Sequence, residues 1–238
     1  MAITTRTDKG AALTHAEMDT NFTDLRDGIG ARTPAASADT GIKVGDNTAD
    51  DYGWHDMHGF QLQNPDDPLK PAIATIFGTI QCYQYAEGEQ TMYRFHIPHD
   101  YKLGTDLFIH AHWLHNSSTI TGGSCTWGFE VDYAKGHQQG VSSAFSSTTK
   151  TVSILQSVGA RYEHMVAEGA LSISGGSGTQ LDTADIEPDG LILCRFFLDS
   201  NDITDSVLKP DPFVFFVDVH YQSTGVPTQN RTPNFYGA

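Results

Sequence analysis

The sequence has little positive charge: 14 Lys and Arg stand against 29 Asp and Glu, a formal net charge of −15. A surface of that sign repels phosphate backbones, so nucleic-acid binding through a basic face is excluded. Long apolar runs are also lacking. None approaches the roughly 18 residues of a spanning helix, so no membrane insertion is expected. The opening MAITTRTDKG has none of the apolar centre of a secretory signal. Cysteine is scarce: Cys82, Cys125 and Cys194 are an odd number, far apart, each inside an apolar segment. They read as buried free thiols of a chain folded in a reducing cytoplasm, not as a disulfide framework. Charged residues reach only 18%, against 11% aromatics and many Gly, Ser and Thr. That balance suits a β-rich protein better than a helical enzyme or a disordered chain.

Helical periodicity is confined to one place, residues 13–29. Thr14 and Glu17 form a capping box, with Leu13 and Met18 set as a hydrophobic staple and Gly28 as a stop. Leu13, Met18, Phe22, Leu25 and Ile29 then make a narrow seam. A four-turn helix with one apolar stripe is marginal alone in water, so residues 1–30 read as an attachment and oligomerisation helix. Residues 31–70 lose periodicity and carry small residues and prolines, as in GARTPAASADTG and NPDDPLKP; they read as an extended linker arm. Trp54 and Phe60 are expected to pin that arm.

From residue 71 the pattern is β, with strands expected near 72–83, 91–97, 105–115, 125–134, 149–157, 161–174, 190–199 and 213–222. Trp127, Phe129, Val131 and Tyr133 alternate with Gly128, Glu130 and Asp132, and Phe213, Phe215, Val217, Val219 and Tyr221 repeat the period of two. About eight strands without intervening helices predict a mainly β fold: a jelly-roll-like β-sandwich over 71–222 behind a short helix and an arm. Residues 223–238 read as a C-terminal docking tail in which Phe235 and Tyr236 anchor onto an adjacent surface.

Candidate chemistry centres on histidine. His96, His99, His110, His112 and His115 fall within twenty residues. On the 105–115 strand, Leu107, Ile109, Ala111 and Trp113 form the core face, while Phe108, His110, His112 and Leu114 share the other. Two imidazoles about 7 Å apart along a strand can grip one metal ion. Three readings stand: hydrogen-bonded groups at a subunit contact, a metal site shared about a threefold axis, or a catalytic site inside one chain. There is no G-x-S-x-G elbow, P-loop or H-E-x-x-H helix. Asp182, Asp185, Glu187 and Asp189 read as a solvated turn.

Lys9-Gly10 followed by Leu13-Thr14-His15-Ala16-Glu17-Met18-Asp19-Thr20-Asn21-Phe22 and Leu25 resembles an amino-terminal motif of tailed-phage tail fibres and other particle proteins. Gly53-Trp54-His55-Asp56, Leu107 to Trp113, Asp218 to Gly225 and Asn230 to Tyr236 are similar to segments of a family of phage virion proteins of about this length. The resemblance implies a virion component assembled in the host cytoplasm, and with the seam and the shared histidine face the expectation is a non-enzymatic, homotrimeric tail or neck fibre or adaptor. Its partners would be other tail, neck or capsid proteins, with a β domain free to touch a host-surface glycan or receptor. A capsid fibre or decoration protein is the alternative in the same class. Some trimeric phage fibres hold octahedral iron by His-x-His pairs, which implies a transition-metal ion at a trimer axis held by His110 and His112; otherwise no cofactor is expected. The rival is a cupin-like metal enzyme, since Gly104 and His110-Ala111-His112 match the opening of that motif. Asn116 and Ser117 stand where its Glu belongs, and no second half-motif follows.

Overall fold

Strands whose side chains alternate between apolar and polar can bury one face only by stacking on a second sheet. In the computed structural model of this chain they do so. The structure describes Ala12, Thr14, Met18, Asn21 and residues 52–62 and 66–235. Its strands are β1 (Gly53–His58), β2 (Phe60–Leu62), β3 (Ala72–Phe77), β4 (Ile80–Gln84), β5 (Gln90–His96), β6 (Phe108–Leu114), β7 (Ile120–Gly122) and β8 (Ser124–Ala134). They continue as β9 (Lys150–Ser157), β10 (Met165–Ala170), β11 (Ser172–Ile173), β12 (Leu181–Asp182), β13 (Leu191–Asn201), β14 (Thr204–Asp205) and β15 (Phe213–Ser223). One sheet runs β10-β6-β15-β4-β3, with β1 also paired to β15; the other runs β2-β5-β13-β8-β9. The chain passes repeatedly from one sheet to the other, which makes the fold a jelly-roll-like β-sandwich.

The core lies between the sheets. Ile109, Ala111 and Trp113 of β6 and Val217 and Val219 of β15 face Trp127, Phe129, Cys194 and Phe196 of β8 and β13. Trp127 stacks on Phe196 with centroids 5.2 Å apart, and meets Trp113 edge-on at 5.4 Å across the sandwich. Rings that bury this much apolar surface dominate the energetics of a sandwich. Among the described residues these side chains belong to one continuous core cluster. Cys82, Cys125 and Cys194 are free, and the Cys82 thiol donates to the Val214 carbonyl at 2.8 Å. Burial pushes the Cys125 thiol up to about 12, which keeps it inert.

Several expectations are corrected. The single strand near 72–83 is the β3–β4 hairpin, turned at Gly78, whose φ of 53° suits a residue without Cβ. Residues 53–62 are no linker: β1 pairs with β15 over six residues and β2 with β5, so this stretch straps one sheet to the other. Backbone pairing and the core side chain of Met57 hold the strap, while Trp54 is about half exposed and Phe60 more so. Gly59 sits at the crossing, where a Cβ would run into the Phe95 and Tyr93 rings. The alternation over 213–221 is broken by a bulge between Val214 and Phe216, which turns Val214 into the core and Phe215 outward. The tail does not wait for a neighbour's surface. Phe235 is buried between the His99 and His137 rings of its own chain, and the Thr228 amide donates to the His99 carbonyl. Of the expected seam, Met18 is helical and its amide donates to the Thr14 carbonyl at 3.0 Å. Leu13, Phe22, Leu25, Ile29 and the tail's Tyr236 lie outside the described residues.

Candidate functional site

Period-two alternation leaves every second residue of β10, β6, β15 and β1 pointing away from the core, and the register lines these residues up in rows. One row reads Glu168, His110, Asp218, His58; the next reads Ala170, Phe108, His220, Asp56. A third sets Val166 beside His112 and Phe216. Four strands from distant parts of the chain thus build one histidine and carboxylate face.

Its centre is sealed. His110 is 1% exposed and Asp218 2%. Asp218 Oδ1 stands 2.5 Å from His110 Nε2 and 3.3 Å from His112 Nε2, while the exposed His58 approaches its other oxygen at 3.7 Å. Burial alone would raise the Asp218 carboxyl, but the adjoining His110 and His112 rings reverse this and hold it at about 2. The His112 ring stacks on Phe216 at 4.3 Å, and its Nδ1 lies 2.7 Å from His164 Nε2. Burial, then the neighbouring His112, lowers the His164 value, which favours the neutral ring.

Its rim is open. His220 lies with its ring centroid 4.0 Å from that of His110, Nε2 2.8 Å from Asp56 Oδ1 and Nδ1 2.8 Å from Glu168 Oε2. Beside them is a depression of about 450 Å³ lined by Trp54, Phe108, Glu168 and His220. His110 Nδ1 is buried without a hydrogen-bond partner. Two groups bring one donor atom per residue within 4.8 Å of one another: Asp56, His110 and His220, and His110, His112 and Asp218.

The sequence-predicted pair, His110 and His112, is therefore brought together, with ring centroids 4.7 Å apart. The threefold sharing expected of it meets an obstacle: His110 is enclosed by its own chain, and its partner is Asp218 on the adjacent strand. The rings also point away from the packed interior in which a cupin reading places its metal. Asp56, Glu168, Asp218 and His220 were not picked out as site residues from the sequence. The alternation of Asp218 and His220 on one strand was the available signal, and it needed the pairing with β6 to acquire meaning. The other clustered histidines go elsewhere. His115 is buried, with Nε2 3.0 Å from the Gly159 carbonyl.

His96 and His99 join His137 in a second cluster around Asp189, which sits in the expected turn but is mostly buried. Its carboxylate stands 3.2 Å from His96 Nε2, 2.9 Å from His99 Nε2 and 2.7 Å from His137 Nε2. His99 spends its other nitrogen on Thr228 Oγ1 at 2.5 Å. Burial would raise the Asp189 carboxyl, yet the His137 hydrogen bond and the fields of His99 and His96 outweigh it and hold the group below its ordinary value.

No protein-family model and no curated protein sequence matches this chain. Among solved structures it has a likeness to the Clostridium thermocellum endo-1,4-beta-D-xylanase 10B, CBM22-1 and GH10 modules, complexed with xylohexaose. The identity is 11% and the TM-score 0.30, over 75% of this chain and 28% of that one. The chain thus spans well under a third of that protein, and a likeness so distant assigns it no ligand.

Proposed function

We propose that this chain is a non-enzymatic structural subunit of a bacteriophage particle. In this reading it is a tail or neck fibre or adaptor that attaches through its amino-terminal segment, assembles as a homotrimer and projects the β-sandwich. The resemblance of the Leu13 to Phe22 motif supports attachment. The observation that carries assembly is the β3–β4 hairpin. It forms the edge of its sheet and holds Ile73, Phe77 and Ile80 outward, Ile73 with 63% of its surface exposed. An edge strand with adjacent large apolar side chains held outward is a surface that natural proteins normally cover. A second copy of the same chain is the occupant that cyclic symmetry supplies.

Sedimentation of the full chain tests this. A particle of three times 26.0 kDa is expected, reduced to the single-chain mass by Phe77→Asp on the hairpin. A stable single chain for the unaltered protein would overturn the reading.

A further inference from the structure

The outer-face cluster leaves a buried donor idle, and this is the feature that points to a ligand. An orphaned polar atom in a protein interior costs about 1–3 kcal/mol, so native structures rarely keep one without a reason. His110 Nδ1 is such an atom, with Glu168 Oε2 3.9 Å away and the His220 ring against its own.

We propose that Asp56, His110 and His220 bind one divalent transition-metal ion per chain, with zinc as the ion their chemistry suits. The inference stands apart from the reading of the chain as a particle subunit. Two imidazoles and a carboxylate are the donor set of borderline ions; magnesium and calcium demand oxygen ligands throughout. The donor atoms already lie within 4.8 Å of one another. Around an ion with bonds of about 2.0–2.1 Å, neighbouring donors stand roughly 3 Å apart. Asp56 and His220 reach the site from partly exposed positions, so side-chain rotation can close the remaining gap while His110 stays fixed.

The second donor group fails where this one succeeds. His110 Nε2 and Asp218 Oδ1 are 2.5 Å apart, too close for an ion between them. Asp218 instead occupies the place of an outer carboxylate. A metal-bound histidine commonly sets its other nitrogen against such a group, which fixes the ring and raises its basicity. Entry also differs: Asp218 is sealed, whereas His220 opens on the depression walled by Trp54 and Phe108. Zinc takes the lone pair of His220 Nε2, which faces Asp56 Oδ1 at 2.8 Å, since a ligating imidazole nitrogen must be free of hydrogen. Glu168, 2.8 Å from His220 Nδ1, orients that ring.

Titration of zinc chloride into the tag-free, chelator-stripped full chain, followed by calorimetry, tests the site. About one ion per chain is expected. His220→Gln and Asp56→Asn should each weaken binding by at least the ten- to hundred-fold that even an outer-shell loss costs. Both positions are partly exposed, and circular dichroism verifies that each variant is folded. His99→Gln, in the Asp189 cluster, should leave the affinity unchanged. Absence of binding, a ratio near one third of an ion per chain, or binding undiminished in both ligand variants would overturn the proposal.

Discussion

Two groups of histidines gather around carboxylates in this molecule, and they differ in what they leave unspent. Around Asp189, three imidazoles converge on one carboxylate, His99 uses its second nitrogen on Thr228, and Phe235 closes the top. There His99 has both ring nitrogens engaged. It fastens the residues after β15 to the end of the sandwich. On the outer face of β10, β6, β15 and β1, Asp218 meets His58, His110 and His112, Asp56 and Glu168 flank His220 at an open depression, and His110 keeps an idle nitrogen. Identical side-chain types thus yield a clasp in one place and a receptive site in the other. The buried, unpartnered nitrogen of His110, not composition, separates them.

The comparison breaks hardest at Asp218. Replacing it with Ala removes the shared partner of His110 and His112 in a sealed environment. A loss of about 3–5 kcal/mol is expected, the cost of breaking a buried pair from one side. Urea denaturation measures it, and a loss below 1 kcal/mol would mean the centre of the face is not held by that carboxylate. At the other cluster, Phe235→Ala strips the cap. A cost of about 2–3 kcal/mol is expected, below that of a fully enclosed phenylalanine because the site is peripheral. Limited proteolysis should then cut within residues 224–235 faster than elsewhere. An unchanged cleavage pattern would show that the tail is held by its backbone bonds alone, such as Thr224 N to the Asp100 carbonyl.

A smaller effect sharpens the contrast through pH. The Asp189 carboxyl is depressed in the folded chain, so its contribution is present above the unfolded value of about 3.9 and is lost as pH falls through the folded one. Melting temperature should therefore drop between pH 5 and pH 3 by more in the unaltered protein than in Asp189→Asn. Asparagine accepts the φ of 62° found at this position, so the substitution tests charge and not backbone strain. Equal drops in both proteins would remove Asp189 from the clasp.

Much of the sandwich was legible in advance, because burial of one strand face requires a local period of two. Trp127, Phe129 and Val131 obeyed it, and Ile109, Ala111 and Trp113 did so on β6. The pattern failed where an extra residue entered at the bulge near Phe215, and at the strap of residues 53–62, whose glycines and prolines nearby read as linker. Of the site, His110 and His112 were legible as a pair on one face. Their partners were not, since nothing near residue 110 encodes what stands across the sheet.

The residue order alone settled that the chain alternates into strands, carries free thiols in apolar segments and shows an acidic surface. These follow from local chemistry that any neighbour would leave intact. Which carboxylate meets which imidazole was decided only when β1, β10 and β15 took up register around β6. A shift of one residue in any of these pairings would turn Asp56, Glu168 or Asp218 to the opposite face.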